Sequence, residues 1–137
     1  MIATALMVAS AAIPFAIGAL HFVYTFAGPK LTPRDPALQA SMREVSPVIT
    51  RETTMWRCWI GFNATHSMGL MLFGLIYGFL AVAHGDLLFD SMYLLALGLL
   101  TLGGFVALAK AYFFSIPFTC LSIASVCYVV SIAVALA

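Results

Sequence analysis

Four long apolar stretches dominate the pattern along the chain, at about residues 2–27, 58–83, 89–109 and 111–137. Each is a continuous run rather than an alternation of apolar and polar positions, which excludes the strands of a closed membrane barrel. A helix needs about 20 apolar residues to cross the hydrocarbon core. Lipid then demands helices, because every backbone N–H and C=O must find its partner within the segment. The pattern predicts an all-α membrane protein: one domain over residues 1–137, built as a bundle of four antiparallel transmembrane helices.

The first stretch lacks a basic start and is too long for the apolar part of a cleavable signal, so it is read as a retained helix. Pro14 inside it predicts a kink, and Gly18, one turn further, leaves room for a neighbouring backbone. The links differ. Residues 28–57 are long and polar, residues 84–90 are short, and around Lys110 there is room only for a turn. Short links make the second, third and fourth helices sequential antiparallel neighbours.

The long link has a pattern of its own. Asp35 followed by Pro36 reads as a cap and a first helical position. Leu38, Met42 and Val45 recur at helical spacing, with Gln39, Arg43 and Glu44 off that stripe. A short amphipathic helix near residues 36–45 is expected, lying on the membrane surface, with Pro47 ending it. Thr50 is expected to cap the next helix, with Glu52 in its first turn; Trp56, Arg57 and Trp59 suit an interfacial anchor.

Composition and charge narrow the class. Of 137 residues 64% are hydrophobic and 8% charged, more apolar surface than a soluble chain of this size can hide. The net charge of +1 gives no footprint for nucleic acid. All six basic residues, Lys30, Arg34, Arg43, Arg51, Arg57 and Lys110, fall on the side of the first and third links. The opposite link carries His84, Asp86 and Asp90. The positive-inside rule therefore places residues 28–57 in the cytoplasm and both termini outside. Cys58, Cys120 and Cys127 form no metal-type spacing and read as packing residues.

Chemistry inside the lipid concentrates on the second stretch. Asn63, His66 and Ser67 share one helical face, and Gly74 and Gly78 continue it as a small-residue groove suited to self-association or to packing on other subunits. The first stretch offers His21, with Tyr24 and Thr25 one turn on. His21 precedes Lys30 by nine residues and His66 follows Arg57 by nine. At about 1.5 Å per residue both imidazoles lie about 13–14 Å from a basic boundary, at matching depth.

Three readings of the pair are open. His21 and His66 can bond Tyr24, Asn63, Ser67 or water and lock the helices. They can ligate a b-type haem as two neutral imidazoles. They can line a polar pocket for a quinone, a lipid or another small ligand, with Asn63, Ser67 and Tyr24 as its further polar groups. A tetrahedral metal site lacks a third strong ligand nearby. In the third and fourth stretches, Gly98, Thr101, Gly103 and Gly104, and Ser115, Thr119 and Ser122, read as helix packing. No Asp or Glu lies deep in a span, which removes the coupling acid of small multidrug exporters. G-x-S-x-G, a phosphate-binding loop and H-E-x-x-H are all missing.

The stretch Trp59-x-Gly61-Phe62-Asn63-x-x-His66-Ser67-x-Gly69-x-x-x-Phe73-Gly74, taken with His21, resembles small bacterial four-helix membrane proteins of families without an assigned activity. The resemblance implies a bacterial source and a four-span fold, and it carries no site residue with it. The residues themselves favour a structural or accessory subunit of a larger membrane complex, rather than an enzyme. A haem-, quinone- or lipid-binding redox protein using His21 and His66 is the alternative, and a small-molecule transporter the third.

Overall fold

Six helices form along the chain, and the computed structural model describes all 137 residues. They are α1 (Ile2–Phe26), α2 (Pro36–Glu44), α3 (Met55–Ala83), α4 (Gly85–Asp90), α5 (Met92–Tyr112) and α6 (Ser115–Ala135). Helices α1, α3, α5 and α6 have the length and apolarity of membrane spans. Only 22–33% of the most apolar window of each is buried within the chain, so most of their side chains are left to face lipid. The two short helices, α2 and α4, do not span.

Local chemistry sets the boundaries. Gly28, at φ 81°, takes the left-handed turn that ends α1, a conformation glycine adopts without steric penalty. The Asp35 carboxylate accepts from the Ala37 N–H at 2.9 Å, and Pro36 opens α2. The Ser91 hydroxyl accepts from the Leu94 N–H and starts α5. Lys110 lies in the last turn of α5, where a cation suits the negative end of the helix dipole.

The chain divides into two compact units. The larger joins Met1–Ile17 to Leu70–Ala137 and holds parts of all four spans. Its core includes Met7, Ala11, Phe73, Tyr77, Leu95, Leu102, Ala124 and Tyr128, with a second cluster of Leu70, Ala109 and Leu121. A side chain at Gly74 would meet the Ala11 carbonyl and Phe15 Cβ, both at 2.6 Å, and one at Gly98 would meet the Tyr128 hydroxyl. Both glycines thus permit close approach. Three hydroxyls reach the backbone of another helix: Tyr77 to Leu94 O (2.8 Å), Tyr128 to Leu95 O (3.0 Å) and Ser131 to Ala3 O (2.7 Å).

The smaller unit, Gly18–Gly69, holds the end of α1, the link with α2 and the start of α3. Here the Trp59 indole N–H donates to Leu31 O at 2.9 Å, folding the start of the link back onto α3. The Arg43 guanidinium lies 5.2 Å from the centre of the Trp56 ring and ties α2 to the same helix.

Several expectations about boundaries change. Residues 84–90 are not a bare link: they wind into α4, with Leu88 fully buried. The third span runs to Tyr112 and the fourth begins at Ser115, so the turn falls at Phe113 and Phe114 rather than at Lys110. Helix α2, by contrast, forms where the sequence puts it, over Pro36–Glu44 and before Pro47. Thr50 does not cap α3; its hydroxyl accepts from Glu52 N–H within the loop, and Thr54 accepts from Arg57 N–H at the true start. Glu52 accordingly precedes the first turn of α3.

Candidate functional site: a histidine–asparagine node

Three polar side chains within the spans of the smaller unit, His21, Asn63 and His66, come together. His21 leaves α1 five residues before that helix ends, and Asn63 and His66 leave α3 from a shared face. The Asn63 amide nitrogen donates to Trp59 O, one turn back, at 2.8 Å. This turns its carbonyl oxygen toward His21, whose Nε2 lies 2.9 Å away. With the amide so turned, His21 Nε2 donates to Asn63 Oδ1. The His21 and His66 rings meet edge to face, with centres 5.5 Å apart and planes at 81°.

Hydroxyls around the node bond back to their own helices. Buried Ser67 donates to Asn63 O at 2.7 Å, and buried Thr25 donates to His21 O at 2.8 Å. On the outer side of α3, Thr65 donates to Gly61 O at 3.0 Å. Such back-bonding satisfies a hydroxyl in lipid without a second helix. Of the residues singled out from the sequence, His21, Asn63 and His66 are thus brought together. Ser67 supports Asn63 through its backbone. Exposed Tyr24 stands on a separate cleft of about 270 Å³ with Thr25, Gly28, Thr32, Trp56 and Ile60.

The node does not fit a haem held between the two rings. Bis-histidine ligation needs both imidazole nitrogens aimed at one iron from opposite faces of a porphyrin. Here one nitrogen is engaged by Asn63 and the rings touch each other directly. No group of three or more His, Cys, Asp or Glu side chains converges to hold a metal ion. His84 is exposed, its ring 5.3 Å from that of Phe79.

Gly74 and Gly78 face α1 of the same chain, the latter with Ala11 Cβ 3.7 Å from where its own Cβ would stand. By contrast Gly61, Gly69, Gly103 and Gly104 have open space where a side chain would point. Sequence reasoning missed Tyr77, Tyr128 and Ser131 as polar ties; the available signal was a hydroxyl far from either end of a span, where it must find a partner. Comparison with protein-family models, curated proteins and solved structures finds no match.

Proposed function

We propose that the chain is a structural subunit of a larger assembly in a bacterial cytoplasmic membrane, with residues 28–57 on the cytoplasmic side and both termini in the periplasm. The carrying observation is the polar node itself. Its groups are spent within the chain: His21 on Asn63, which joins α1 to α3, and Asn63, Ser67 and Thr25 on carbonyls of their own helices. A site for chemistry would leave such groups aimed at a substrate. The open backbone at Gly103 and Gly104 on α5 adds support, since small residues on a span let another helix approach closely. Gly74 and Gly78, occupied by α1, leave that role to α5.

The test is extraction from native membranes in a mild detergent, followed by native electrophoresis. Co-migration with larger partners is expected, with Gly103→Leu releasing the chain from them. A homogeneous monomer from the native source contradicts the reading.

A second reading, a pocket for a quinone, is favoured by the cleft that gathers Tyr24 and Thr25, one turn from His21 on α1, with Thr32 and Trp56. Aromatic walls suit a quinone ring, and the Tyr24 hydroxyl can donate to one of its carbonyls. Quinone co-purifying with the chain and lost in Tyr24→Ala supports it; quinone-free protein from quinone-replete membranes contradicts it.

A further inference from the structure

Beside the node, between α2 and the start of α3, lies a separate groove of about 430 Å³. Leu31, Pro33, Leu38, Met42 and Trp59 wall it, and Lys30 is the charged residue among those that line it. Trp59 is a fixed wall because its indole N–H is held by Leu31 O. Helix α2 buries none of its residues, so Leu38 and Met42 offer the groove apolar surface that the chain has not covered.

We propose that this groove binds one anionic phospholipid, with an acyl chain against Leu38, Met42 and Trp59 and the headgroup phosphate on the Lys30 ammonium. Trp59 stands four residues into a membrane-spanning helix, about 6 Å along its axis, so an acyl chain reaches the groove without leaving the bilayer. Lys30, the charged residue at the groove, selects the headgroup, in a link whose other charges, Arg34, Arg43, Arg51 and Arg57 against Asp35, Glu44 and Glu52, leave it net basic. A basic residue at the membrane surface favours an anionic lipid over a zwitterionic one. The apolar walls also set the occupant apart from free phosphate, which would gain nothing from Leu38 or Met42.

The chain has two tryptophans, so a Trp56→Phe background leaves Trp59 as the sole reporter inside the groove. That protein is reconstituted in phosphatidylcholine vesicles doped with brominated phosphatidylglycerol or with brominated phosphatidylcholine, and Trp59 quenching is followed against mole fraction. Half-quenching is expected at an about fivefold lower mole fraction of the brominated phosphatidylglycerol. Lys30→Gln should bring the two curves together, and Lys30→Arg should keep them apart. Leu38→Glu should raise both thresholds. Lys30 and Leu38 are exposed, so these variants leave the core intact. Superimposable curves for the two lipids in the Lys30 protein, or a preference that survives Lys30→Gln, overturns the proposal. Neither result depends on whether the chain has subunit partners.

Discussion

An imidazole or amide inside a bilayer has no water to fall back on, so its partner decides what it contributes. His21 and Asn63 supply one another, from α1 and α3, at 2.9 Å. Interhelical hydrogen bonds of this kind contribute about 0.6 kcal/mol on average, and up to about 1.7. A double-mutant cycle on His21→Ala and Asn63→Ala, read by unfolding in bicelles, should give a coupling of about 0.5–1.5 kcal/mol. Additive effects would show that the bond contributes nothing. His66→Leu should alter stability while the visible absorption of the protein stays unchanged, which a spectrometer and a thermal melt check together. Ser10 is the opposite case. Its hydroxyl is buried without a hydrogen-bond partner, and Pro14, four residues on, has no N–H to give the Ser10 carbonyl. Ser10→Ala should therefore leave stability unchanged or raise it by up to about 1 kcal/mol. A clear loss would mean that the hydroxyl has a partner in the membrane.

Among the elements, the close contact of α5 and α6 depends on one missing side chain. Gly98 lies under Tyr128, whose hydroxyl bonds Leu95 O. Gly98→Ala should destabilise the chain by about 1–3 kcal/mol, as overpacking in a filled core does, and a thermal melt in detergent measures it. Gly74→Leu should do the same at the crossing of α1 and α3. Gly104→Ala, with open space at its Cβ, should be neutral or mildly stabilising.

These packing partners were not legible in the sequence. Gly98, Gly103 and Gly104 look alike as letters, and only the helix rotation, set by distant residues such as Tyr128, sorts buried from open. The spans themselves were legible because about 20 continuous apolar residues leave few alternatives. Asp35 and Pro36 announced α2 because a cap is a local interaction. Helix α4 escaped notice since its six residues are too few to show a period. Thr50 and Thr54 are both competent caps by type, and the fold chose between them through the bond from Met55 N–H to Val45 O, which ends the loop one residue after Thr54. The node was half visible: matching depth brought His21 and His66 together on paper, but their edge-to-face contact and the place of Asn63 depend on rotations that spacing does not encode.

For the whole molecule, the proposed threading sends each of the four candidate spans across the bilayer once, with both termini on one side and the long link and the turn at Phe113 and Phe114 on the other. That threading assigns every Lys and Arg to the second side. The proposed lipid groove, the subunit role and the depth of the polar node all presuppose this threading. It is tested most directly by cysteine labelling in intact spheroplasts, with the three native cysteines replaced and single cysteines placed at Ser46→Cys and Asp86→Cys. Position 86 should react with a membrane-impermeant maleimide in intact spheroplasts, while position 46 should react only after lysis. Labelling of position 46 in intact cells, or of both positions alike, would contradict the threading.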